Sequence, residues 1–474
     1  MRPIEIVSLD FLILTLITLV VYYLLSPRFQ TLWLLAVSYA FYATWGLGYL
    51  AVLVALTMVN FEIARRIQRK KSKALFIFGL ALNALSLLTL KALSGPYGFD
   101  LLAHFVNEER AFHLTAILLP IGFSFYVLQA ISYLTDVYRG QIPAEENFLD
   151  FALYMAYFPK MLAGPIERAK SFLPQIKNPR IVDVPAIEQG IYLILLGLVR
   201  KLVIADRLTQ LRPADIFSNP ENYSLSIRIL WLLVFAFALY NDFAGYTSIV
   251  RGVSSLLGIH LSENFRQPFF SRSFSDFWTR WHISLSEWLR DYIFYPTRRW
   301  LLSHKWNKWL ALVLPPLITM LVSGYWHGAY LSVLGWGFSH GLFLAVEQIL
   351  QQFKLFPRAE KSLPARLYAA GTFIAVTLTW IPFASSSLRG VMRFLFGNIP
   401  VQSPTMPPFA LIEILLAMCM SLWLDWQGER LGDSAFLLKW SVAKKPWGFA
   451  FVLVLLLFFA NTGNDLSGFV YQGF

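Results

Sequence analysis

Tyr325-Trp326-His327-Gly328 lies between two long apolar stretches, and its histidine demands an explanation. An ionisable group at that depth marks a functional site by default, because polar atoms left without partners in hydrocarbon are costly. In a dry site a neutral imidazole can accept a hydroxyl proton near neutral pH, which makes His327 a candidate general base or activator of a nucleophile. The competing reading is a structural histidine bonded to a carbonyl between helices. Gly324 and Gly328 favour function, since they let another group approach the backbone closely. A second histidine, His282, sits upstream in Phe277-Trp278-Thr279-Arg280-Trp281-His282-Ile283-Ser284-Leu285-Ser286. Two titratable groups in one apolar protein point to proton transfer.

The elements that must carry these residues are membrane spans. Of 474 residues, 57% are hydrophobic and 14% charged, against about 25% charged in a soluble domain. Mean hydropathy is +0.55. Sixteen Trp, 21 Tyr and 41 Phe supply aromatic belts. The net charge of +12 sits in short loops between apolar runs, which fits cytoplasmic retention better than nucleic-acid binding. One cysteine, Cys419, excludes an intrachain disulfide and a cysteine-cluster metal site, and no metal is expected. No cleavable signal peptide is expected, because the first apolar run follows only Arg2 and leads into further ones.

About a dozen apolar runs recur, each needing about 20 residues to cross. They predict an all-α polytopic protein, one integral domain over 1–474, with about eleven spans and some re-entrant or interfacial helices. Six basic residues between Arg65 and Lys73 place that connection in the cytoplasm; further basic loops are 170–180, 298–308 and 354–366. Two regions do not read as simple spans. Pro159-Lys160-Met161-Leu162-Ala163-Gly164-Pro165 breaks an apolar run, and irregular backbone at membrane depth needs protein or water around it. The stretch 274–300 carries Arg280, Glu287, Arg290, Asp291, Arg298 and Arg299, too many charges to face lipid. As one helix it would set Trp278, His282 and Leu285 on one face.

Other polar residues weigh less. His340, 13 residues beyond His327, would stand about 220° away on a continuous helix, so helix packing explains it better. Asp242 follows an apolar run directly and could orient a substrate or pair with a buried cation. Glu167 and Arg168 read as a local pair at a membrane edge. His104, His113, His260 and His304 fall in or near loops. Soluble-enzyme signatures such as GxSxG, the Walker loop and HExxH are absent.

Read together, several segments resemble the membrane-bound O-acyltransferase (MBOAT) family, in the bacterial branch of the alginate O-acetylation and teichoic-acid D-alanylation proteins. They are Leu119-Pro120-Ile121-Gly122-Phe123-Ser124-Phe125-Tyr126 through Asp136-Val137-Tyr138-Arg139-Gly140, then Ala163-Gly164-Pro165-Ile166 and Lys201–Arg207. Next come Asp242-Phe243-Ala244-Gly245-Tyr246, Glu263-Asn264-Phe265, the stretch 277–292, Trp326-His327-Gly328-Ala329 and Trp336-Gly337 to His340-Gly341. They run in family order along nearly the whole chain, and the alginate-type members look most similar. The pattern departs at Gly245-Tyr246-Thr247-Ser248, which lacks the usual acid, and at Phe383-Ala384, where an aromatic-Arg pair is usual.

The resemblance implies that His327 occupies the catalytic-histidine position and His282 the second motif position, within a helical bundle around an internal tunnel. It implies no bound cofactor; acetyl-CoA or another acyl thioester is the donor substrate. The acyl group, acetyl first among the options, passes from the cytoplasmic side for O-acylation of an extracytoplasmic polysaccharide. An extracytoplasmic SGNH-type acyl-transfer protein is the expected partner, and membrane lipid the surroundings of a multi-pass protein of the inner or plasma membrane. His327 would deprotonate the hydroxyl or briefly carry the acyl group; His282 would orient the donor or a water. Trp281 and Trp326 would keep water from the thioester, with Trp278 and Asp242 as tunnel lining and Arg298 and Arg299 as a basic dock on the donor side. The rivals are D-alanyl transfer to teichoic acid and, from another class, a polytopic transporter or polysaccharide export component. The latter predicts an internal two-fold repeat, which the sequence does not show.

Overall fold

The apolar runs fold as helices in the computed structural model, which describes residues 3–110, 118–178, 180, 182–355, 363–397, 407–432, 435–440 and 443–460. Among the described residues there is no strand. Among the described residues seven helices are long and apolar enough to cross a membrane, and two shorter apolar helices, Leu9–Leu24 and Lys445–Leu457, accompany them. About eleven spans were expected; several of the predicted runs form helices shorter than a span or interrupted ones, such as Val184–Leu198, which passes into a wider turn over Val199–Ala205. Parts of the expected 114–133 span and of the 354–366 loop lie outside the described residues. By contacts the chain groups into two units, essentially 1–198 with 246–263, and 199–245 with 264–462.

In the first unit α1 (Leu9–Leu24), α2 (Pro27–Ala43), α3 (Leu47–Lys70), α4 (Lys73–Leu93), α5 (Phe123–Tyr138) and α6 (Phe148–Ala156) pack on one another. The basic stretch expected as a loop is mostly helix: α3 runs to Lys70, Lys71 caps it in a left-handed conformation, and α4 begins at Lys73. Glu62 holds Arg66 at 2.6 Å, which keeps the charged turn folded. Residues 157–165 are irregular and buried, as the prolines required, and protein satisfies them. Phe158 N–H donates to Ser38 Oγ at 3.0 Å and Ala163 N–H to Tyr246 Oη at 3.1 Å. Gly122, at φ +74°, lets the chain approach so closely that a Cβ there would stand 2.3 Å from the Met161 carbonyl. Glu167 is buried, not at an edge, and accepts from Ser262 Oγ at 3.1 Å.

The long α7 (Leu225–Leu256) contributes residues up to Gly245 to the second unit. It continues through Asn241 and Asp242, where the apolar run ended in sequence, because Lys201 neutralises Asp242 while Arg200 and Ser421 hydrogen-bond Asn241. Also in the second unit are α8 (Phe274–Arg280), α9 (Ile283–Leu289), α10 (Tyr295–Ser303), α11 (Leu310–His327), α12 (Leu331–Gln352), α13 (Leu363–Ala384), α14 (Leu388–Phe396) and α15 (Pro408–Leu431). The three-residue turn after His327 makes α11 and α12 an antiparallel hairpin. Its seam needs glycine: a Cβ on Gly337 would meet the Met320 carbonyl at 2.3 Å, and one on Gly324 the Val333 carbonyl at 2.8 Å. Helix α13 returns beside α12, with Ser332 bonded to Ser385, His340 to Thr379 and Tyr368 to Glu347.

Candidate active site

His327 ends α11 and is 6% exposed. Its ring packs on three aromatic neighbours: Trp326 at 4.8 Å between centroids, Trp336 at 5.1 Å and Phe383 at 5.3 Å. The side chain of Trp326 also meets His282, at 5.9 Å. The two histidines picked out from sequence therefore flank one indole, although 45 residues separate them in the chain (327 − 282).

His282 reaches that position by a route the sequence reading missed. The stretch 274–300 is not one helix: α8 stops at Arg280, and His282 turns the chain at φ +42° before α9 starts. The common face proposed for Trp278, His282 and Leu285 is thereby lost. A non-glycine residue in the left-handed region is strained, and such strain persists where surroundings enforce it. Here Asn264 does so. Its carbonyl accepts Ile283 N–H at 2.9 Å; its side-chain Oδ1 accepts Ser284 N–H at 3.2 Å and Ser284 Oγ–H at 2.9 Å. The same Oδ1 lies 3.1 Å from His282 Nδ1. Since an amide oxygen only accepts, Nδ1 carries the proton and the lone pair is on Nε2. Phe243 packs edge-on against the ring at 4.9 Å, and complete burial lowers the imidazole pKa from 6.5 to about 3. His282 is a neutral base with a fixed tautomer. Glu347 anchors the other end of this segment, accepting Phe274 N–H at 2.8 Å at the start of α8.

Trp281 is buried and lies away from His327, stacked on Phe277 at 5.6 Å and beside Trp380 at 5.1 Å. Trp278 meets Trp336 at 5.9 Å and His340 at 5.2 Å. The continuous helix that sets His340 apart from His327 does not exist: the hairpin turn lays Trp336 on His327 at 5.1 Å, and His340, one turn further along α12, packs on the same indole at 5.0 Å. Thr379 donates its hydroxyl to Val376 O, so it accepts at 2.9 Å from His340 Nε2–H, leaving the lone pair on Nδ1. Asp242 is engaged elsewhere: its Oδ1 lies 2.8 Å from Lys201 Nζ, which also binds Asp206 at 2.8 Å. Beside it Arg200 binds Asp425 at 2.6 Å and Asn241 at 2.9 Å. Arg298 is half-buried and Arg299 exposed on α10.

A cavity of ≈ 250 Å³ opens between α8, α9 and the α11–α12 hairpin, with Trp278, Ile283, Arg290, Thr319, Met320 and Gln348 among its lining residues. Thr319, Ser323 and His327 recur every four residues on α11, so they share a face leading from this cavity to the catalytic candidate. That period was visible in the sequence once a helix ending at His327 is granted. Asn264 carried a weaker signal, as part of Glu263-Asn264-Phe265.

Comparison with known proteins agrees with this architecture. The chain is 36% identical over 389 residues to the probable alginate O-acetylase AlgI of Pseudomonas putida, covering 80% of this chain and 77% of the relative. It is 30% identical to the peptidoglycan O-acetyltransferase of Helicobacter pylori, covering 80% and 75%. Similarity to the teichoic acid D-alanyltransferase of Bacillus subtilis is 26% and covers 56% of this chain and 67% of the relative. The profile of the membrane-bound O-acyltransferase family matches residues 34–383, which include every histidine and tryptophan of the site described above. The chain thus belongs to the membrane-bound O-acyltransferase family and is a multi-pass membrane acyltransferase.

Proposed function

We propose that this protein moves an acetyl group from a cytoplasmic thioester such as acetyl-CoA, across the inner or plasma membrane, for O-acetylation of an extracytoplasmic polysaccharide of the alginate type. The observation that carries the reading is the placement of His327 at one end of the α11–α12 hairpin with the basic residues at the other. Arg298, Arg299, Lys305 and Lys308 precede α11, and Lys354 follows α12. Basic connections stay in the cytoplasm. The 18 residues of α11 span about 27 Å, so His327 stands nearly a bilayer thickness from that end. The cavity at Thr319 and Met320 lies between, and in this account it receives the acyl thioester arm. In this account His327 takes the proton of the attacking hydroxyl, and neutral His282 orients the donor through the shared Trp326 wall. Trp281, Trp326 and Trp278 exclude water. Arg298 and Arg299 attract the donor's phosphates.

The names of the P. putida and H. pylori relatives support acetyl as the group and a glycan as the acceptor; identity to the D-alanyltransferase is lower and covers less of the chain. An SGNH-type protein outside the membrane would complete transfer to the polymer. The test is purified full-length protein with labelled acetyl-CoA, with and without such a partner and an alginate acceptor. Label appearing as alkali-labile ester on the partner or polymer supports the reading. No transfer from acetyl-CoA, with transfer from a D-alanyl carrier-protein thioester, overturns it in favour of D-alanylation.

A further inference from the structure

Buried polar atoms almost always have hydrogen-bond partners, and each exception calls for a reason. Around His327 the exceptions accumulate. Ser323 Oγ, Trp336 Nε1, Trp380 Nε1 and Trp278 Nε1 are buried without a hydrogen-bond partner among the described residues. Ser323 is fully buried, and Trp336 is 1% exposed. Nearby hydroxyls on the same hairpin behave ordinarily: Thr319 donates to Pro315 O at 2.6 Å and Ser339 to Gly335 O at 2.8 Å, each one turn back. Ser323 does not make that bond. Indole N–H is a donor only, so what these groups lack is an acceptor.

Placement narrows the choice to two of them. Ser323 lies one turn before His327 on the same face of α11, and the Trp336 ring packs directly on the His327 imidazole. The Gly324–Gly337 seam brings the two helices together at this level. We propose that the Ser323 hydroxyl and the Trp336 indole N–H form the oxyanion hole of the acyl transfer, binding the thioester carbonyl oxygen and the charge that develops on it. This rests on the acyl-transfer reading above. The acceptor hydroxyl oxygen attacks the thioester carbonyl carbon while its proton passes to His327. The carbonyl electron pair moves onto oxygen, where the two donors hold it. The tetrahedral centre then collapses, the C–S bond breaks, and the thiolate takes the proton from the His327 imidazolium, leaving ester and thiol. Donors fixed in a dry site stabilise such charge without reorganising.

Two substitutions remove the donors with little change of shape: Ser323→Ala, and Trp336→benzothienylalanine, in which sulfur replaces the N–H. In full-length protein each should lower kcat about 10²-fold, with the KM for acetyl-CoA and the Tm unchanged. A second readout needs no turnover. In a His327→Ala background, the infrared band of carbonyl-13C acetyl-CoA bound to the protein should shift to higher frequency when either donor is removed, because a hydrogen bond to the carbonyl is lost. A kcat within twofold of wild type for both variants, or an unmoved carbonyl band, overturns the proposal. Wild-type protein that transfers no acetyl overturns the acetyl-transfer reading itself, whereas active wild type with indifferent variants overturns the oxyanion hole alone.

Discussion

Two buried polar centres occupy the second unit, and they are built on opposite principles. Around Lys201 and Arg200, cations meet anions: Lys201 binds Asp206 and Asp242, Arg200 binds Asp425 and Asn241, Tyr240 donates to Asp425 at 2.9 Å, and Asn241 donates to Ser421 at 2.8 Å. Around His327 the walls are rings, and several donors lack acceptors among the described residues. A buried charge persists only when paired, so the ionic centre ties α7 to α15 and the segment after residue 199. An unsatisfied donor is tolerated where something else supplies its acceptor. In the first centre every charge has an opposite charge, and among the described residues Asp425 Oδ2 alone of its carboxylate oxygens has no hydrogen-bond partner; the second, on the proposal above, is completed by the substrate carbonyl.

That contrast breaks first at His327. His327→Ala should cost about 10³-fold or more in acyl transfer, with detergent-extracted protein at wild-type levels. Substantial polymer ester beside normal protein would remove the catalytic assignment. Asp242→Ala should do the reverse. Lys201 keeps Asp206 and loses one charged hydrogen bond, which should destabilise the protein by about 2 kcal/mol, read as a lower unfolding midpoint in detergent. Removing all three charges together, with Lys201→Met, Asp206→Asn and Asp242→Leu, should restore most of it. If Asp242→Asn instead altered KM or kcat at unchanged midpoint, Asp242 would belong to the substrate site after all.

His282→Gln should sharpen the boundary between the centres. The loss should be about 10- to 100-fold if, as proposed, His282 orients the donor and His327 carries the proton. Its pKa, lowered by burial from 6.5 to about 3, has a definite sign. The unfolded chain binds this proton below pH 6.5 and the folded protein does not until about 3, so stability falls with acid between those values. His282→Gln should lessen that acid dependence, as measured by unfolding midpoints from pH 7 to 4; an unaltered slope would contradict a buried neutral imidazole. The smallest effect should come from Arg298→Glu with Arg299→Glu, which should raise the donor KM severalfold at nearly constant kcat. A collapsed kcat at unchanged KM would rule out a docking role.

Much of this protein was written along the chain. The apolar runs dictated helices because hydrocarbon forces the backbone to satisfy itself, and the charges and prolines marked where simple spans fail. His327 stood out because an ionisable side chain between such runs is expensive. What the chain could not show was every relation that depends on a turn. Whether His340 and His327 share the Trp336 wall hinged on the Gly328–Tyr330 reversal, since helical phase carries no information past a break. Whether 274–300 formed one helix hinged on Asn264, 18 residues before His282, whose side chain holds the left-handed turn. Asp242 read equally as ligand or ion-pair partner until Lys201, 41 residues earlier, was found beside it. The sequence by itself determined which residues had to be hidden from lipid, because transfer energies are local. Only the tertiary structure decided which of those hidden groups satisfy one another and which are left without a partner among the described residues, because hydrogen bonds require partners at a given distance and angle.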